Sequence, residues 1–279
     1  GSDPEHRMDN ARGRWRPKLS EYVICAKCTS FNAHHSMHKA DAPSDSAQHG
    51  RLIPGWLVLL GALTALAPLS VDMYLPALPA IARAVAAPDG SVGLTLAAFF
   101  IGMALGQLFY GPISDRFGRK KPLYVGIIIF VLASGACMFA NTLTELVALR
   151  FLQAIGGCAG PVLARAVVRD RCSAREMARA FSMLMLVMGL APILAPVIGG
   201  WLLAWMNWRA LFGVLAMFGI GCLAAAYWRL PESHDMRHAQ PLAWGTVLGG
   251  YVNLAGNRVF LGYSLSGGFG MAGMFAYIT

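Results

Sequence analysis

Residues 111–121 read GPISDRFGRKK, with five charged side chains in eleven positions, four of them basic. Apolar runs of about twenty residues flank this stretch on both sides. The chain as a whole is 56% hydrophobic and only 13% charged, where a soluble domain carries roughly 25% charged residues. The apolar residues fall into seven blocks, at 52–75, 92–110, 123–140, 146–168, 181–205, 210–230 and 259–279. Each is close to the ~20 residues that a helix needs to cross a ~30 Å hydrocarbon core. In lipid the backbone must satisfy its own hydrogen bonds, so the blocks are helices and not strands. No polar-faced helices are left to cover a large soluble core. The composition therefore predicts an all-α polytopic membrane protein and excludes a soluble enzyme with two domains.

Basic residues close to a membrane segment stay on the cytoplasmic side. With the N-terminus placed in the cytoplasm, 20 of the 23 Lys and Arg residues fall inside and only Arg83 and Arg209 outside, while Arg150 lies within a span. The inside set includes the second-to-third loop with Arg116, Arg119, Lys120 and Lys121, and the fourth-to-fifth region with Arg165, Arg169, Arg171, Arg175 and Arg179. The net charge of +9 is thus a topology signal, and it does not argue for a nucleic-acid partner. The expected topology is multi-pass, with the N-terminus cytoplasmic.

Residues 1–51 are polar, aperiodic and mixed in charge, which predicts a disordered cytoplasmic tail. The chain starts with Gly-Ser, and Met37 opens a short polar lead into the first block. Met37 is a credible natural start, which would leave 1–36 as a non-native leader. The tail holds Cys25-x-x-Cys28 followed by His34, His35 and His38. Two thiolates and two imidazoles can build a tetrahedral zinc site, but the spacing matches no finger and no apolar residues form a mini-core around it. Incidental residues are the preferred reading, so no metal or other cofactor is expected. The remaining cysteines, Cys137, Cys158, Cys172 and Cys222, are dispersed in or beside the spans and read as small packing residues. No cleavable signal peptide is evident, because the first block is too long.

Two charges stand within the spans. Asp72 lies in SVDMYLPALP near the outer end of the first block, and Arg150 lies in LRFLQAIGG of the fourth. A charge at a helix centre costs roughly 2.5–3.5 kcal/mol on insertion scales. Each residue has two readings: an interfacial charge reaching for water, or a member of a polar cavity. Gln153 favours the second, being three residues from Arg150 on one helical face. Pro68 also favours it, since it frees the Thr64 carbonyl and kinks the first helix one turn before Asp72. In the fifth block, GLAPILAPVIGGW repeats small residues every fourth position. Ala191, Ala195 and Gly199 form one stripe, and Pro192, Pro196 and Gly200 the next. Such stripes let another helix approach closely. Gly102-x-x-x-Gly106 and the glycines at 267, 268, 270 and 273 are weaker forms of the same signal.

These stretches together resemble the N-terminal half of a major facilitator superfamily transporter, within it the bicyclomycin/chloramphenicol resistance (Bcr/CflA) branch of drug:proton antiporters. DMYLPALPAIA resembles that branch's first-helix signature, GPISDRFGRKK its motif A, RFLQAIGG its motif B and APILAPVIGG its motif C, in matching order from 52 to 279. Motif C departs at Ala195, where the wider family usually has Gly. The resemblance implies a six-helix half bundle over 52–230, a cytoplasmic connecting loop over 231–258, and the start of a second half, helix 7, over 259–279. It implies a non-enzymatic, proton-coupled multidrug antiporter working by alternating access, with a small amphipathic drug and protons as cargo, lipid as surroundings and a monomeric full-length state.

In that picture Asp72 carries the proton, and Arg150 senses it and tunes its proton affinity. Gly111, Asp115, Arg116, Gly118, Arg119, Lys120 and Lys121 form a conformational latch. Asp115 meets Arg119 and a helix end of the other half, Gly111 permits close helix approach, and Gly118 permits the turn. The stripe Ala191–Ala195–Gly199 is expected to pack on a helix of the missing half. Two further readings stay open: an inactive truncated fragment, and an exporter of a metabolite such as an amino acid. Ending in helix 7, the chain by itself is expected not to transport.

Overall fold

In a computed structural model of the chain, residues 55–88, 90–230 and 244–278 are described. The tail with its Cys25–His38 cluster and the segment 231–243 lie outside them. The described residues are helical, with no strand. In order they form α1 (Gly55–Asp72), a 3₁₀ turn (Leu75–Ala77), α2 (Leu78–Ala84), α3 (Gly93–Phe117), α4 (Lys120–Cys137), α5 (Leu143–Gly157), α6 (Ala159–Arg171), α7 (Ala174–Trp205), α8 (Arg209–Arg229), α9 (Trp244–Gly256) and α10 (Arg258–Ile278). Six stretches are long and apolar enough to span a membrane: Gly55–Ala84, Gly93–Phe117, Lys120–Cys137, Leu143–Arg171, Ala174–Trp205 and Arg209–Arg229. They correspond one to one to the first six apolar blocks.

Four local features depart from or refine that reading. The fourth block is one span made of α5 and α6, which part at Cys158. Pro161 has no N–H, so the Gly157 carbonyl loses its helical partner there. The fifth helix begins at Ala174, seven residues before its apolar block. Ser173 and Glu176 form a capping box, with Glu176 Oε2 accepting from Ser173 N at 3.1 Å, and this satisfies the first turn. The 32-residue α7 is about 48 Å long, so Arg175 and Arg179 stand on a helix and not in a loop. The connecting stretch 231–258 was expected to be a loop, yet it contains α9. Trp244, Val247, Leu248, Tyr251 and Val252 recur at helical spacing, in a run too short to register as a span. Finally, α10 has the length of a span at 21 residues. It covers the seventh apolar block, 259–279, up to Ile278.

The first span is the most buried of the six, and Leu60, Leu63 and Leu66 of α1 are fully enclosed. Burial of apolar surface does not drive helix association in lipid, so close van der Waals packing must. A Cβ on Gly102 of α3 would stand 2.5 Å from the Phe151 carbonyl oxygen of α5, and one on Gly160 of α6 would collide with the Leu63 backbone of α1. By contrast, Leu186, Ile193, Val197 and Trp201 of α7 are exposed.

Candidate functional site

The last turn of the first span, Ser70–Tyr74, is where the separate sequence signals meet. Asp72 closes α1 and is buried. Arg150, in the middle of α5, is fully buried. Its Nη1 donates to the Ser70 carbonyl at 3.0 Å and to Gln153 Oε1 at 2.7 Å. Gln153, also fully buried, donates through Nε2 to Ser134 Oγ on α4 at 2.7 Å. Ser134 Oγ in turn donates to the Phe130 carbonyl at 2.6 Å. The spacing of Arg150 and Gln153 thus builds a chain of polar contacts across α1, α5 and α4.

The surroundings of Arg150 differ from the open polar cavity that the sequence suggested. Its guanidinium carbon lies 4.4 Å from the ring centre of Tyr74, 4.3 Å from Phe99 and 5.9 Å from Phe212. Its Nε and Nη2 have no hydrogen-bond partner among the described residues. The cation is enclosed in an aromatic cage, whose ring faces supply the electrostatic attraction that water or a carboxylate would otherwise provide. Among the described residues no ion pair joins it to Asp72. The cage was not legible in the sequence because its rings come from the end of the first span, α3 and α8.

The stripe of α7 closes the same turn from another side. A Cβ on Gly199 would stand 2.5 Å from the Met73 carbonyl oxygen. Ala191 and Ala195 are buried with Gly199, whereas Pro192 is exposed and Gly200 has nothing within 4 Å of a Cβ. The expectation that Ala191–Ala195–Gly199 packs on a helix of a second half is therefore corrected: this face packs on the first span of the same bundle. The face carrying Pro192, Pro196 and Gly200 is the less buried one. Period alone shows that a small-residue stripe packs; it cannot say which helix lies against it.

At the far end of the bundle lies the charged loop that opened the sequence. Gly118 adopts φ +85°, a left-handed conformation that a side chain disfavours, and it terminates α3. Arg119 then turns inward and is 5% exposed. Its Nη1 donates to Ser114 Oγ and to Asp115 Oδ1, both at 2.6 Å, and its Nε donates to Asp170 Oδ2 at 2.8 Å. Burial pulls its basicity down, but the hydrogen bonds and charges of Asp170 and Asp115 more than offset this and hold it above the usual range for arginine. Asp170 escaped the sequence reading because it sits among the arginines of VVRDR, where the count was of positive charge. It shows that α6 ends beside this loop. Arg116 lies over Phe117, and Lys120 Nζ over Tyr124 and Tyr227 at 5.5 and 5.9 Å. A cavity of about 520 Å³ opens nearby, walled by Phe109, Tyr110, Phe117, Phe151 and Lys121, and it includes none of Asp72, Arg150 or Gln153. Gly111 has nothing within 4 Å of a Cβ among the described residues, so the close helix approach expected there is not made within this bundle.

Arg209 fastens the opposite end. It donates to the Met138 and Ala140 carbonyls at 2.8 and 3.0 Å and to Asn141 Oδ1 at 3.1 Å, meeting carbonyls left free where α4 ends. No group of three or more His, Cys, Asp or Glu that could hold a metal occurs among the described residues.

Residues 60–279 match the family model of the Major Facilitator Superfamily. The chain belongs to that superfamily. With six stretches long and apolar enough to span a membrane, it is a multi-pass membrane protein. It is 41% identical over 223 residues to the MFS-type transporter YdgK of Bacillus subtilis, covering 79% of this chain and 56% of that protein. It is 35% identical to a bicyclomycin resistance protein homolog of Haemophilus influenzae, covering 80% and 56%. It is 36% identical to the multidrug resistance protein MdtL of Escherichia coli, covering 67% and 47%. The chain thus spans about half the length of these curated relatives. Among solved structures, the human organic anion transporter MFSD10 (TETRAN) superposes with a TM-score of 0.55 at 17% identity, over 69% of this chain and 51% of that one. At that identity the likeness concerns the superfamily fold alone. Two of these relatives are named for bicyclomycin and multidrug resistance, in keeping with the Bcr/CflA resemblance of the sequence motifs.

Proposed function

We propose that the chain forms the N-terminal half of a proton-coupled exporter of amphipathic drugs, working by alternating access in a bacterial inner membrane. The observation that carries this is the meeting of a buried carboxylate, a caged arginine and a small-residue stripe on one turn of the first span. Two relatives named for bicyclomycin and multidrug resistance support the choice of cargo. Asp72 is the proton carrier: neutralising it removes a costly charge from the membrane and shifts the balance between inward- and outward-open states. Arg150 and Gln153 are the fixed cation and its support. The latch reading of 111–121 is supported by Arg119, which ties α3 to the end of α6 through Asp115 and Asp170. These two ion pairs also hold the stretches 111–121 and 168–179 at one end of the bundle, in keeping with the basic bias for a cytoplasmic N-terminus.

The test is export by the full-length protein in a strain lacking its own efflux pumps, against a panel including bicyclomycin, ethidium and amino acids. Uncoupler-sensitive drug export that Asp72→Asn abolishes at normal expression is the expected result. Export surviving in Asp72→Asn shows that the carboxylate does not carry the proton. Export of amino acids alone assigns a metabolite instead.

A further inference from the structure

The turn that carries Asp72 touches Arg150 on either side of the acid, but not through it. Ser70, two residues earlier, accepts from Arg150 Nη1 at 3.0 Å. Tyr74, two residues later, lays its ring 4.4 Å from the guanidinium carbon. Positions two apart on a helical backbone lie about 200° apart around the axis. Positions 70 and 74 therefore share a face that position 72 does not.

Tyr74 is also fastened beyond the arginine. Its hydroxyl lies 2.7 Å from Thr95 Oγ1, which donates on to the Val92 carbonyl at 2.6 Å. The tyrosine is thus the donor of the pair. Its ring meets Phe212 of α8 edge-on, with centroids 5.9 Å apart. One side chain, rooted in the turn of Asp72, is held by α3, α5 and α8. The backbone changes character at the same residue. Met73 N donates to the Leu69 carbonyl four residues back, and Tyr74 N to the Val71 carbonyl three residues back. The passage from α to 3₁₀ geometry inside a span is a place where a helix can twist.

We propose that Tyr74 is a positioning residue for coupling: it passes the protonation state of Asp72 to Arg150 and to α3 through the Ser70–Tyr74 turn, without direct contact between acid and arginine. This rests on the reading of Asp72 as the proton carrier. The ionisable side chains of the cage are Asp72 and Tyr74 from the first span, Arg150 from α5 and Cys137 from α4, whose thiol is within electrostatic reach of both Tyr74 and Arg150. The other packed elements bring Thr95, Phe99, Gly199 and Phe212, which do not titrate.

The experiment uses the full-length protein in inverted membrane vesicles, as wild type, Asp72→Asn, Tyr74→Leu, Tyr74→Phe and Thr95→Val. One readout is the ratio of uncoupler-sensitive ethidium export to ethidium equilibrium exchange, which needs no proton gradient. The other is free of substrate: the rate of N-ethylmaleimide labelling at the buried Cys137 relative to that at Cys172 in the same molecules, a ratio in which the pH dependence of thiolate formation cancels, read by mass spectrometry on either side of neutral pH; the pH response is the change in this ratio.

Loss of the ring in Tyr74→Leu should lower the ratio about tenfold, leave exchange in place and abolish the pH response, as Asp72→Asn does. Tyr74→Phe should keep the pH response and most of the ratio. Thr95→Val removes the same hydrogen bond, so it should match Tyr74→Phe, and the double variant should be no worse than either. An unchanged ratio in Tyr74→Leu, an equal fall in export and exchange, or additive losses in the double variant overturns the proposal. If Tyr74→Leu fails to insert, the Phe and Val pair still decides. A wild type that exports no drug, yet shows a pH response lost in Tyr74→Leu, refutes the drug-export reading and leaves the Tyr74 link standing. A wild type with neither signal refutes both.

Discussion

Replacing Gly199 by alanine separates packing within this bundle from packing against anything else. The added Cβ would stand 2.5 Å from the Met73 carbonyl oxygen, 3.1 Å from its Cα and 3.2 Å from its carbonyl carbon, where ordinary contact starts near 3.4 Å. The atoms met are backbone, so no rotamer can yield. Helix α7 and the Met73 turn must part by about 0.9 Å, and overpacking of this kind costs about 1–3 kcal/mol. For a chain of this size each kcal/mol lowers the melting temperature by roughly 2–4 °C, so Gly199→Ala should melt some 2–12 °C below wild type. The neighbouring Gly200 is the control. It has nothing within 4 Å of a Cβ, and alanine in its place should be neutral or up to about 1 kcal/mol stabilising through helix propensity. Thermal unfolding of residues 1–279 in detergent, followed by fluorescence and by the monodisperse fraction that remains, measures both. Equal shifts at the two glycines, or a larger loss at Gly200, would refute the packing of the 191–195–199 face on the first span.

Three further outcomes follow from the ends of the bundle. A cysteine at Lys121 or Arg175 should be shielded from a membrane-impermeant maleimide added outside intact cells, and one at Ser91 should react; the reverse pattern overturns the assignment of the N-terminus to the cytoplasm. Asp170→Asn should lower stability more than Asp115→Asn in the same melting assay. The Asp115 carboxylate is 61% exposed and that of Asp170 only 19%, so the expected losses are under about 1 kcal/mol for the first and about 1.5–3 kcal/mol for the second. Arg209→Ala removes three hydrogen bonds at the Cys137 end of α4 and should speed proteolysis between Cys137 and Leu143, with Arg209→Lys recovering only part of the protection because lysine lacks the forked geometry.

The sequence alone determined that the chain is a bundle of membrane helices, and it set the expectation of how they are oriented. Those properties depend on run length, on the internal hydrogen bonding that lipid demands, and on the one-sided placement of Lys and Arg. All three are local sums over consecutive residues, and they survive any rearrangement of the helices. The spacing of Arg150 and Gln153 was legible for the same reason, since three residues along a helix settle a shared face. Where the reading failed, it failed on partners. It missed Asp170 behind Arg119, the rings around Arg150, and the identity of the surface facing Gly199. It also passed over α9, whose apolar period is clear but too short to count as a span. Only the tertiary structure could decide these. A helix presents the same stripe to any neighbour, and which neighbour arrives depends on how six helices fill space together. That packing brought Ser70, Met73 and Tyr74, one turn of a single helix, into contact with α5, α7 and α3 at once.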